Sequence, residues 1–182
     1  MKKMSPVTKC AATAVCMALC VVLPLTLHAI PNGGKLFSPM HIPVLLCGLV
    51  CGWQYGLACG LAGPVLSSLL TSMPPMGSPT QYGMIIELAV YGLTAGLMMK
   101  FVHTKNQTAD IYVSLVTAML AGRIMGGLSK AFFFSAGTYT FGTWSAAYFT
   151  SGFPGIIVQL ILIPVLYLAL CKAHLVPVRY AK

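Results

Sequence analysis

Five long apolar runs cover most of this chain of 182 residues: Thr8 to Ile30, Met40 to Thr71, Gln81 to Met99, Ile111 to Phe134 and Ala147 to Cys171. A helix needs about 20 consecutive apolar residues to cross the ~30 Å hydrocarbon layer of a bilayer, so each run suffices for a crossing. The second is too long for one and is interrupted by Gly52-Trp53-Gln54-Tyr55-Gly56, which reads as a tight turn between two helices. Six spans are therefore predicted, at about 8–30, 41–53, 55–72, 81–99, 111–134 and 147–171.

Composition supports that reading. Hydrophobic residues make up 58% of the chain and charged residues 7%, against roughly 25% charged in an average soluble domain. Such apolar content excludes disorder, sparse cysteine excludes a disulfide scaffold, and no self-similar block indicates a repeat array. The predicted fold class is an all-α integral membrane protein, one membrane domain over residues 1–182 with six transmembrane helices. The first run follows Lys2, Lys3 and Lys9 as a signal peptide would, yet it exceeds the usual core of about 7–15 residues. His28-Ala29-Ile30-Pro31 is also a poor small-residue cleavage site, so an uncleaved first span is expected.

Charge orients the spans. Lys2, Lys3, Lys9, Lys100, Lys105, Lys172, Arg179 and Lys182 all fall on the side that holds both termini, and only Lys35 and the helix-end Lys130 on the other. The positive-inside bias then predicts cytoplasmic termini in a multi-pass protein of the cell membrane. It also explains the net charge of +9 without a nucleic-acid partner. Three Gly- and Pro-rich stretches, Pro31 to Pro39, Ser72 to Pro79 and Ser135 to Ser145, become elaborate extracellular loops, the usual place for capturing ligands.

An ionisable side chain inside a span costs at least about 2.5–3.5 kcal/mol, so each one there is a functional candidate. Glu87 lies in the outer part of the fourth span with Tyr91 one turn below it, and Arg123 and Lys130 share a stripe of the fifth. Gln159 sits within the sixth span and His41 opens the second. Two readings compete. These groups either converge on an enclosed polar cavity, or Glu87 and Arg123 form an internal ion pair while Lys130 snorkels to the interface. Asn32 and Lys35 in the first loop, and Tyr139 and Trp144 in the third, are further candidates for ligand contact.

Other chemistry is absent or weak. No phosphate-cradling G-x-x-x-x-G-K-[ST], no H-E-x-x-H and no G-x-S-x-G occurs, so ATP hydrolysis by that route, zinc proteolysis and a serine nucleophile are disfavoured. Of the seven cysteines, Cys16 with Cys20 and Cys47 with Cys51 are four apart and share helix faces. A metal site near His41 is the alternative to free thiols packed between apolar helices, but no second His completes a ligand set, and no metal or cofactor is expected.

Four stretches carry a family resemblance: Phe37-Ser38-Pro39-Met40-His41-Ile42-Pro43-Val44-Leu45-Leu46-Cys47-Gly48; the run from Gly63-Pro64 to Met73-Pro74-Pro75; Glu87-Leu88-Ala89-Val90-Tyr91-Gly92; and Pro154-Gly155-Ile156-Ile157-Val158-Gln159 through Pro164. Together they resemble the substrate-binding S components of energy-coupling factor (ECF) vitamin transporters, along nearly the whole chain. The resemblance implies a non-enzymatic, high-affinity capture subunit whose pocket is made by the outer loops and the last three spans. It further implies a transmembrane coupling subunit and two cytoplasmic ATPases as partners, and toppling in the bilayer to carry the ligand inward. Small residues of the first and third spans meet the coupling subunit in that family, which by position are Ala14, Ala18, Gly56 and Gly60. The His-Ile-Pro pattern looks most like the pantothenate-type branch, and Arg123 and Lys130 would face the carboxylate of such a ligand. Glu87 would instead suit a donor-rich or cationic ligand such as a pyridoxine-type vitamin or a queuosine precursor. The alternative from another class is a membrane structural or assembly protein in which the polar groups only bond helices.

Overall fold

The computed structural model describes residues 4–27, 38–134, 152–178 and 180. Every regular element within them is a helix: α1 (Pro6–Leu27), α2 (His41–Cys51), α3 (Trp53–Thr71), α4 (Pro79–Phe101), α5 (Gln107–Phe134) and α6 (Phe153–Lys172). Each predicted span has its helix, with shifted ends. Residues 28–30 and 147–151, expected in the first and sixth spans, lie outside the described residues.

Proline chemistry sets two of the starts. Pro79, expected in the loop, is instead the first residue of α4, where the missing N–H needs no intrahelical partner. Ser78 caps the helix by accepting from the Gln81 N–H at 3.2 Å, and Gln81 Oε1 reaches back to accept from the Gly77 N–H at 2.7 Å. Likewise a proline stands in the first turn of α6.

Among the described residues four helices, α1, α4, α5 and α6, are long and apolar enough to cross a membrane. With 11 residues, α2 rises only about 16 Å, roughly half of a hydrocarbon layer. The span predicted at 41–53 is met by this short apolar helix. It is the centre of the bundle: α1, α3, α4, α5 and α6 all pack on it, and Pro43, Val44, Leu45, Cys47 and Gly48 are among its buried residues. A helix apolar all round belongs inside, and one enclosed by its neighbours need not be long. At its end, Gly52 alone makes the turn, with φ +100°, a backbone region that favours glycine.

Around α2, α4 packs along both α3 and α5. The α3·α4 contact is a backbone-on-backbone approach. A Cβ at Gly56 would meet the Gly92 backbone, and one at Gly60 would sit 2.5 Å from Leu88 C and 2.7 Å from Ala89 N. Small residues at this spacing allow helices to approach without the hydrophobic drive that water supplies. Lys9 lies over the Tyr55 ring, Gly96 abuts Trp53, and Gln107 Nε2 donates to Cys171 Sγ at 3.2 Å. Those contacts gather Lys9, Lys100, Lys105 and Lys172 at one end of the bundle. At that end Asp110 is fully buried: Oδ1 accepts from the Thr104 N–H and hydroxyl, both at 2.7 Å, and Oδ2 from the Tyr180 hydroxyl at 2.8 Å.

Candidate functional site

The site begins where α2 starts. His41, the first residue of α2, and Glu87, two turns into α4, are both buried, and His41 Nε2 lies 3.4 Å from Glu87 Oε1. Tyr91, one turn further along α4 and fully buried, donates its hydroxyl to the same oxygen at 3.3 Å. The His41 and Tyr91 rings meet edge-on, 4.9 Å between centroids and 67° between planes. One carboxylate oxygen thus holds together two helices and three side chains. Both contacts are long beside the usual ~2.7–3.0 Å, so the group is gathered without being tightly clenched.

α5 closes one side. A Cβ at Gly122 would stand 2.8 Å from Tyr91 Cδ1 and Cε1, so the glycine lets the ring lie on the backbone of α5. Similarly the Lys130 stem crosses Gly83, whose Cβ would be 3.3 Å from Lys130 Cγ. Gly83 opposite Lys130 and Tyr91 opposite Gly122 fix the antiparallel register of α4 and α5. That register sets Glu87 level with Gly126, between Lys130 and Arg123. Arg123 is buried and Lys130 half-buried.

α6 supplies the last predicted group. Gln159 is 0% exposed, and neither Nε2 nor Oε1 has a hydrogen-bond partner among the described residues. The Gln107–Cys171 bond sets the antiparallel register of α5 and α6, so Gln159 stands about one turn from the level of Arg123. His41 Nδ1 is also buried without a partner among the described residues. Chemically, these residues of α2, α4, α5 and α6 offer a carboxylate, a guanidinium, an amine, an imidazole, a phenol and a carboxamide, all of them buried except the half-buried Lys130. Such a set can bind a small polar molecule at several points.

The remaining predicted residues divide. Asn32, Lys35, Tyr139 and Trp144 lie outside the described residues. Ala14 and Ala18 are exposed on α1. Gly56 and Gly60, expected on a surface for the coupling subunit, are buried and back on to α4. On the outer face of the same helix stand the exposed Ala58 and the half-buried Ala62, also four apart. The four-residue spacing of Ala58 and Ala62 is itself legible in the sequence. Gly63 lies against Cys20, and Lys9 against Tyr55, so α1 and α3 run parallel and bring both alanine pairs to overlapping depths.

The thiols also converge. Cys16, Cys20, Cys47, Cys51 and Cys59 of α1, α2 and α3 are all buried in one core, where Cys47 Sγ donates to the Thr13 hydroxyl at 3.6 Å and Cys20 Sγ to the Met40 carbonyl at 3.9 Å. All seven cysteines are free. Among the described residues no group of three or more His, Cys, Asp and Glu is placed to hold a metal ion.

The family model described as ECF transporter, substrate-specific component, matches residues 8–167. No curated protein and no solved structure matches the chain. With the match running from the first helix into the last, this membrane chain belongs to the family of ECF transporter substrate-specific components, the substrate-capturing subunits of ECF importers.

Proposed function

We propose that this chain, acting as one membrane domain, is a high-affinity capture subunit for a water-soluble vitamin or related micronutrient, pantothenate first, then a pyridoxine-type vitamin or a queuosine precursor. The observation that carries this reading is the burial of His41, Glu87 and Tyr91 as one hydrogen-bonded group, with Arg123 and Lys130 on the facing helix. Removing such groups from water costs several kcal/mol, and apolar residues would hold the helices together as well or better. Binding a polar cargo is what repays them. Arg123 and Lys130 meet the carboxylate of the ligand, and Glu87 with Tyr91 and His41 meets its hydroxyl or other donor groups. Asn32, Lys35, Tyr139 and Trp144 are further ligand contacts in this reading.

The end that carries Lys9, Lys100, Lys105 and Lys172 faces the cytoplasm by the positive-inside rule, which places both termini there and opens the pocket outward. The chain has no ATPase of its own. It turns over with a transmembrane coupling subunit, which engages the small-residue faces of α1 and α3, and with two cytoplasmic ATPases. Ala14 and Ala18 serve this contact, joined by Ala58 and Ala62 in place of the inward-facing Gly56 and Gly60.

Saturable binding of radiolabelled pantothenate, pyridoxine and a queuosine precursor to the purified chain in detergent tests the proposal. One tight ligand is expected, lost in Arg123→Ala or Glu87→Ala while the variant stays monodisperse. Variants that unfold, with a wild-type chain that binds nothing, would assign the polar groups to holding helices together.

A further inference from the structure

We infer that Gln159 is the specificity-determining residue that reads an uncharged N–H and carbonyl pair of the ligand, so that the cargo is a molecule with an amide-type group and not one recognised by its charges alone. The inference rests on the capture reading above and narrows its substrate class. Gln159 is 0% exposed, and both ends of its carboxamide are without a partner among the described residues. A buried donor and a buried acceptor left together unsatisfied are rare in folded proteins, since each loses its water and gains nothing. A glutamine that only bonded helices would have found at least one partner on α2 or α5, the helices α6 packs on. Its depth agrees with a ligand role, because it stands about one turn from the level of Arg123, further along the bundle than Glu87.

The two residues ask different things of a ligand. Arg123 is a fixed cation suited to an acid group, whereas a neutral carboxamide adds little to an anion and pairs best with a neutral donor and acceptor. A molecule with an acid or donor-rich end and an amide or lactam a few bonds away satisfies both. Pantothenate has such an amide and a queuosine precursor has a lactam edge. Pyridoxine has neither and is placed last.

Gln159→Met, which keeps the volume and removes both polar ends, is the test, read first as thermal unfolding of the ligand-free chain in detergent. The midpoint is expected to stay or rise; a fall of several degrees would show that Gln159 is bonded internally and would overturn the inference. The second reading is binding of radiolabelled pantothenate, queuosine precursor and pyridoxine to wild type and variant. Wild type is expected to take one of the first two, and Gln159→Met to lose at least about tenfold in affinity for it. A wild-type chain that binds while Gln159→Met binds equally well, or one that selects pyridoxine, overturns the inference and leaves the capture reading standing. No saturable binding of any of the three by wild type overturns both.

Discussion

Replacing Gly60 by alanine adds one methyl group, and the structure makes it one of the worst places in the chain to do so. The new Cβ would lie 2.5 Å from Leu88 C and 2.7 Å from Ala89 N, with the Leu88 carbonyl oxygen nearer still. All three are backbone atoms of α4, so no side chain can rotate away. α3 and α4 would have to part by roughly 1 Å along a contact that also holds Gly56 against Gly92. Overpacking usually costs about 1–3 kcal/mol, and a backbone-on-backbone clash belongs at the upper end, about 3 kcal/mol. For a chain of this size that is a fall in unfolding midpoint of roughly 6–12 °C. The disturbance reaches the site, because Leu88 follows Glu87 directly. Thermal unfolding of the isolated chain in detergent measures it, with Gly63→Ala as a control on the same helix. There the Cβ would meet only the Cys20 side chain, at 3.2 and 3.3 Å, and a shift of a few degrees at most is expected. If Gly60 instead faced the coupling subunit, Gly60→Ala would leave the isolated chain's midpoint unchanged and impair only assembly. That result would refute the packing argument.

Other outcomes follow from single contacts. Asp110→Ala removes the acceptor of three hydrogen bonds and is expected to destabilise the chain by about 3 kcal/mol, against about 1 kcal/mol for Tyr180→Phe; equal midpoints for wild type and Asp110→Ala would contradict the assigned contacts. Cys10 is the one exposed thiol of the seven, so a maleimide should modify one cysteine in the native chain and seven after unfolding, counted by mass; rapid native labelling at Cys47 or Cys59 would show the α1–α2–α3 core to be open. Lys130→Met keeps the stem that lies over Gly83 and removes only the amine. The affinity for an acid ligand should fall about tenfold, and unchanged affinity would return Lys130 to a purely interfacial role.

Much of this protein was legible in order of residues. A bilayer demands long apolar segments and taxes every charge inside them, so the helix positions and the short roll of Glu87, Arg123, Lys130, His41 and Gln159 could be read directly. Pro79 misled at a boundary because proline stops a helix from within yet starts one well. The tertiary structure alone decided which faces look inward. In a soluble protein water sorts the faces, and polarity along a helix reveals them. Between lipid and protein interior both sides are apolar, and a glycine pair such as Gly56 and Gly60 fits an internal contact or a partner equally well on paper. Only the packing turned that pair against α4, drew the half-length α2 to the centre, and brought His41 across to Glu87 and Tyr91 from 46 and 50 residues away.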